Sequence, residues 1–220
     1  MSDTGRYYLL SPARYLKLNL PVPHDLMLAE ALALRDQFTS YRTDQDVYRG
    51  WHSLTLHGLA YDKGYSWENY PDYIDANHAS DAMSWTEIAE NCPVTVNWLK
   101  TVFPSNRYGR VRFLLLEAGG SIGLHNDTDV QMLEMVNVAL SHPKDCHWYW
   151  EDDSEVPFAP GDAYAVNISY PHRVVNNSTE DRYHLIVHHH DSTAKWMHMM
   201  GNALKEHNEQ GRFVYSQELY

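Results

Sequence analysis

Cysteine is almost absent: Cys92 and Cys146 are the only two in 220 residues, far apart and with no Cys-x-x-Cys spacing. That argues against a disulfide framework and favours a reducing, cytoplasmic setting. No apolar run approaches the ~20 residues that cross a bilayer. The opening stretch MSDTGRYYLLSPARYLKLNLPVPHD has no apolar core of signal-peptide length. Positive charge is scarce too, with 17 Lys and Arg against 29 Asp and Glu, a formal net charge of −12. Nucleic-acid binders concentrate cations, so a phosphate-backbone partner is excluded, as is an anionic membrane surface. There is no repeat, low-complexity tract or linker. One domain is expected over residues 1–220, long enough to bury a full core. What is plentiful is aromatic side chain, 13% of the total, which suits a β-rich domain or an aromatic-lined pocket.

The chain divides into two textures. Residues 24–39 read as an amphipathic helix with Leu26, Leu28, Leu32 and Leu34 as its apolar residues. Residues 51–61 alternate as a strand, and 62–80 form an aromatic, acidic loop that could serve as a lid. Ser84-Trp85-Thr86-Glu87 has capping-box spacing and opens a short helix, and Pro93 opens another running to about Val102. From residue 107 the pattern changes to short β-branched or aromatic runs. Ala118-Gly119-Gly120, His142-Pro143-Lys144-Asp145, Pro160-Gly161-Asp162 and Asn176-Asn177-Ser178 separate them as turns. The expected architecture is mainly β with flanking helices: a helical and strand part over about 1–105, a jelly roll (double-stranded β-helix, cupin-like) over about 107–191, and a C-terminal helix over about 193–209.

Within the β region, GLHNDTD (123–129) sets His125 two residues before Asp127. With 14 histidines and 29 acids, chance alone supplies roughly two His-x-acid pairs, so the pair carries weight only in context. The context is His172, 45 residues after Asp127, and Arg182, ten residues after His172. Residues i and i+2 of a strand point the same way, so His-x-Asp presents two ligands to one ion. Two imidazoles and one carboxylate on one face of an octahedral metal leave open positions, the arrangement of non-haem Fe(II) oxygenases. A chelating 2-oxo acid can fill two of them and O₂ the third. The far carboxylate of such a co-substrate calls for a buried, always-charged fork, which is arginine.

The stretches VRFLLLEAGGSIGLHNDTD (111–129) and FAPGDAYAVNISYPHRVVNNSTEDRYHLIVH (158–188), with GWHSLTLHG (50–58) and CPVTVNWL (92–99), resemble the aspartyl/asparaginyl β-hydroxylase group of Fe(II)/2-oxoglutarate oxygenases, which includes bacterial cis-proline hydroxylases. The resemblance implies iron held by His125, Asp127 and His172, and the 2-oxoglutarate tail held by Arg182. It implies hydroxylation of an unactivated C–H, with succinate and CO₂ as co-products. The animal members lack the carboxylate ligand, so Asp127 places the chain nearer the small bacterial branch and away from halogenating relatives. The strand after the metal pair usually carries basic groups for the co-substrate, whereas MLEMVNVAL (132–140) offers only Asn137.

Other residues have two readings. His184, two after Arg182, faces the co-substrate or is a core histidine. Arg110 and Arg112 reach a substrate carboxylate or cover the sheet. Trp148, Tyr149 and Trp150 line a pocket or pack a core. His57 and Trp67 belong to a substrate lid or to structure. His188-His189-His190 with Asp191 is a rival metal cluster, but strand neighbours alternate faces, so three adjacent histidines make poor facial geometry. His207/Glu209 reads as a solvated helix end and Met197, Met199, Met200 as helix packing. The short chain with no appended recognition domain favours a free amino acid or similar small molecule as substrate. The other function classes are hydroxylation of an Asp, Asn or other residue in a peptide or protein, a cupin-type metal enzyme without 2-oxoglutarate, and a non-catalytic ligand-binding barrel.

Overall fold

The computed structural model describes residues 13–41, 47–62, 82–129, 133, 135–190 and 193–209. Its elements are β1 (Tyr15–Leu18), α1 (His24–Ala33), β2 (Thr39–Ser40), β3 (Tyr48–Gly58), β4 (Ser84–Trp85), α2 (Pro93–Thr101), β5 (Tyr108–His125), β6 (Met135–Ala139), β7 (Cys146–Trp150), β8 (Ala163–Val166), β9 (His172–Asn176), β10 (Arg182–His189) and α3 (Ala194–Glu209). All the pairings are antiparallel, in the order β1-β8-β6-β10-β5-β3-β2, with β4 on β3, β9 on the second half of β5, and β7 on β9. The sheet curls over itself into the jelly roll that the strand spacing predicts.

Period-2 alternation sorts the side chains. On β5, Val111, Phe113 and Leu115 join Leu54, Leu56, Val136, Val138, Leu185 and Val187 on the outer face, under Met27 and Ala31 of α1, Leu99 of α2 and Met200 of α3. Leu114 and Leu116 turn the other way. They meet Trp51, Met135, Tyr164 and Ile186, and are covered by Trp148, Trp150 and Val174 from β7 and β9. This second cluster is the interior of the roll, where the polar residues of interest also lie.

Three local expectations differ from the structure, and one strand was not foreseen. Ala118-Gly119-Gly120 is no chain reversal, because β5 runs through it for 18 residues. Gly119 takes φ +71° and Gly50, on the adjacent strand, φ +64°. Pairing jumps from Ser121↔Arg49 to Leu116↔Trp51, and the Arg49 side chain donates to the Gly119 carbonyl from Nε at 3.0 Å. The result is a bulged bend that carries one strand from the β10 side of the roll to the β9 side. A reversal and a bend need the same glycine conformations, so composition alone does not separate them. Ser84–Trp85 is a strand paired with His57–Gly58, and the Thr86 hydroxyl donates to the Thr55 carbonyl at 2.7 Å instead of capping the 3₁₀ turn Glu87–Asn91. Helix α1 stops at Ala33, and its buried face is Met27 and Ala31, while Leu26 is 59% exposed. Finally, Tyr15–Leu18, unremarkable between polar and proline-bearing neighbours, adds to the sheet as β1 against β8.

Candidate metal centre

β5 ends at His125 and β9 begins at His172, and the two are direct cross-strand partners. Their rings therefore lie side by side, centroids 4.5 Å apart. The chain leaving β5 turns back, with the Asp127 N–H donating to the Ile168 carbonyl at 2.9 Å, and this aims the carboxylate at both rings. Asp127 Oδ1 is 3.5 Å from His125 Nε2, and Oδ2 is 3.9 Å from His172 Nε2. One ligand atom from each residue lies within 4.8 Å of the others, and this is the only such group of His, Cys, Asp or Glu among the described residues. Ligands at about 2.1 Å from one ion stand roughly 3 Å apart when cis, so a small contraction closes the shell.

The ring protons are already placed. His125 Nδ1 lies 2.7 Å from the Gly123 carbonyl and His172 Nδ1 lies 3.0 Å from the Tyr170 carbonyl. A carbonyl only accepts, so each Nδ1 carries the hydrogen and each Nε2 is bare, the tautomer a metal requires. Burial, then the neighbouring His125, pushes His172 down to about 4, so it is neutral at ordinary pH. The donor set, its tautomers and its open side toward Asp127 fit a hard divalent cation such as Fe(II).

A second group lies deeper. Arg182 opens β10 beside Leu116 and is only 1% exposed. One terminal nitrogen is 2.8 Å from His184 Nδ1, and Nε has no partner. No carboxylate of the described residues pairs with this guanidinium. Burial without an anion lowers it to about 10. Asn137 Oδ1 is 2.5 Å from His184 Nδ1, and His142 Nδ1 is 3.1 Å from His184 Nε2. Burial and the Arg182 charge push His184 well down and His142 to about 3, so the cluster carries one positive charge. A buried cation without a counter-ion is costly, and an anion beside it would remove that cost.

Aromatic rings connect these groups. Trp148 stacks on His172 at 4.9 Å and 18°, Phe158 follows at 5.8 Å, and Phe158 meets His184 edge-on at 4.9 Å. On the other side, His125 contacts Tyr48 and Trp51, at 5.8 and 6.2 Å, and Trp51 contacts Tyr41 at 4.2 Å. Arg112, 5% exposed, donates to the Tyr41 hydroxyl at 2.7 Å and lies 4.8 Å over its ring. Two aromatic-walled arms thus leave the histidine pair, and each ends at a buried arginine.

Of the residues singled out in the sequence, His125, Asp127 and His172 meet at one point, and Arg182, His184 and Asn137 meet at another. Arg112 and Trp148 face the same interior. Arg110 is half-buried and acts on His188. His57 lies at the opposite end of β5 from His125: its Nδ1 is 2.6 Å from the Gly109 carbonyl and its ring meets Trp85 edge-on. Trp67, Asp191 and all but the first residue of the 62–80 loop fall outside the described residues. His189 packs on Trp196 and Phe103 at 4.2 and 5.5 Å, and His207 sits against Tyr15. Trp150 is interior, edge-on to His172, while Tyr149 faces out beneath Arg173. Met200 is buried and Met197 is 39% exposed. Sequence reasoning missed Tyr41, Tyr48, Trp51, His142 and Phe158 as parts of the site. For all but His142, which read as part of a turn, the only signal was the high aromatic content, which does not say which rings converge. Among the described residues, no helix is long and apolar enough to cross a membrane.

No curated protein matches the chain by sequence. Among solved structures, a prolyl-4-hydroxylase from Pseudomonas putida is 16% identical, covering 83% of this chain and 96% of its own at a TM-score of 0.45. A 2OG-Fe(II) oxygenase family oxidoreductase from Burkholderia pseudomallei is 12% identical, with 79% and 82% covered at 0.47. A prolyl hydroxylase from Trichoplax adhaerens, in complex with a hypoxia inducible factor oxygen degradation domain peptide, is 14% identical, with 83% and 86% covered at 0.46. The family model of aspartyl/asparaginyl β-hydroxylase matches residues 25–191, most of the chain. The chain belongs to the aspartyl/asparaginyl β-hydroxylase family.

Proposed function

We propose that the protein is an Fe(II)/2-oxoglutarate-dependent dioxygenase that hydroxylates an unactivated C–H of an amino acid or amino-acid-like small molecule. The observation that carries this is the pairing of a His-Asp-His group with a wholly buried arginine that has no acid of its own. A cupin enzyme that uses no 2-oxo acid has no reason to bury such a cation, and neither has a purely structural barrel.

His125, Asp127 and His172 would hold the iron, which, once bound with 2-oxoglutarate and O₂, supplies the oxidising chemistry at the C–H bond. The protein's own tasks are placement and exclusion of water. The Gly123 and Tyr170 carbonyls keep both Nε2 atoms bare and pointed inward. Arg182 takes the far carboxylate of the co-substrate through a bidentate, charge-assisted contact. His184 accepts from one edge of that guanidinium through Nδ1, is braced by His142 at Nε2, and adds no competing charge. Stacked Trp148 and Phe158 wall this arm from water. The other arm, past Tyr48, Trp51 and Tyr41, suits the substrate, with Arg112 receiving its carboxylate and Arg110 reinforcing the field. The anchored C–H then lies beside the metal ligands, the placement on which a near-attack geometry depends.

The test is incubation with Fe(II), 2-oxoglutarate, O₂ and a panel of free amino acids. A one-oxygen mass gain in one of them, matched by an equal amount of succinate, supports the reading. Metal binding with no 2-oxoglutarate consumption under any condition refutes it.

A further inference from the structure

β6 carries one polar side chain toward the interior, Asn137, and His184 already engages it. A donor on another strand can complete the co-substrate arm. We propose that the indole N–H of Trp148 donates to the 2-oxo acid held between the metal triad and Arg182. The inference rests on the reading of that site given above.

The position of the ring is the first support. Trp148 is the middle residue of β7 and points into the roll. One side of its indole lies on the His172 imidazole and another packs on Phe158, which in turn covers His184 beside Arg182. The indole therefore stands between the metal end and the arginine end of the arm. The second support is an unmet bond. Trp148 is 5% exposed, and its Nε1 is buried with no acceptor. An indole nitrogen donates and cannot accept, and no described protein atom accepts from it, so the bond is open to an oxygen of a bound ligand. Leaving such a donor unpaired costs about 1–3 kcal/mol, which an acceptor brought beside the ring would recover. The dicarboxylate is the acceptor that the neighbouring arginine already selects. Trp150 Nε1 is also unpartnered and its ring touches Trp148 at 6.4 Å, but it meets His172 edge-on and turns its other sides to Arg14 and Tyr170, away from Phe158 and His184, so it serves as the control.

The experiment is calorimetric titration of 2-oxoglutarate into full-length protein loaded with redox-silent Mn(II), for wild type, Trp148→Phe and Trp150→Phe. Phenylalanine keeps a stacked ring and removes only the donor. Trp148→Phe should keep Mn(II) affinity and ligand-free melting temperature while weakening 2-oxoglutarate about 10- to 100-fold, the loss of one hydrogen bond to a charged group. Trp150→Phe should bind as wild type does. Unchanged 2-oxoglutarate affinity in Trp148→Phe, or equal weakening in Trp150→Phe, overturns the inference and leaves the metal centre standing. Wild type that takes Mn(II) but no 2-oxoglutarate overturns both. An independent readout needs no variant: in Zn(II)-loaded wild type, the indole N–H signal with cross-relaxation to His172 and Phe158 should move downfield when 2-oxoglutarate is added. A stationary signal overturns the inference.

Discussion

Replacing Arg182 with methionine separates a ligand-binding arginine from a structural one, because the two predict opposite signs. Methionine has similar length and no charge, so it fills the same volume. Burial holds the guanidinium from 12.5 down to about 10, and a displacement of that size corresponds to roughly 3 kcal/mol of unfavourable burial. Against this stands the contact with His184 at 2.8 Å, which contributes about 1 kcal/mol. The balance is that ligand-free Arg182→Met is as stable as wild type or more so, by up to about 2 kcal/mol. The same change removes two charge-assisted hydrogen bonds to a bound carboxylate. At about 1.5–3 kcal/mol each, 2-oxoglutarate affinity falls by at least about a hundredfold. The assay is urea unfolding without ligands, paired with 2-oxoglutarate titration of the Mn(II) form. A variant destabilised by several kcal/mol that still binds 2-oxoglutarate normally would refute the reasoning, since the arginine would then be satisfied within the protein.

Asp127→Ala and His172→Ala should each weaken Mn(II) binding by more than about 100-fold, beyond the usual loss from an outer-shell partner, while His190→Ala should bind as wild type does; equilibrium dialysis checks all three. His142, held down to about 3, and His184 and His188, held well below the ordinary value, refuse protons that the unfolded chain takes up near 6.5. Their stability is whole above about pH 6.5, and each should remove ~1.4 kcal/mol per unit as pH falls toward the folded value. Unfolding midpoints measured between pH 7 and 4 follow this, and His142→Gln should flatten the slope. At the β5 bend, Gly119→Ala meets open space and should cost about 1 kcal/mol for its positive φ alone. A Cβ at Gly120 stands 2.8 Å from the backbone oxygens of Arg49 and Glu117, so Gly120→Ala should cost about 3 kcal/mol in urea unfolding.

Local rules read from the sequence carried far where they coincided with the fold. His-x-Asp at a strand end is legible because alternation puts both side chains on one face, and β5 ends at His125. His172 and Arg182 are legible by their type and spacing, since each opens a strand that borders β5. The strand runs that follow residue 107 announce the roll. What stayed hidden depends on partners distant in the chain. The bend at Gly119 exists because Arg49 and Gly50, about 70 positions earlier, lie opposite it. Leu28 and Leu34 pack on the core as periodicity suggests, yet Leu26 and Leu32 are exposed while Met27 and Ala31 face the sheet, a choice made by α2 and the outer core. His142 read as part of a turn, and only β10 brings His184 to it. Tyr41 and Trp51 became a wall through β2 and β3, which local pattern does not align.

A crystal structure of the Mn(II)·2-oxoglutarate complex tests the account most directly. One ion is expected there, bound by His125 Nε2, His172 Nε2 and an Asp127 oxygen, with the distal carboxylate of the 2-oxo acid forked on Arg182. An ion seated on the His188–His190 strand end, or Arg182 closed onto a carboxylate of the protein itself, would contradict it.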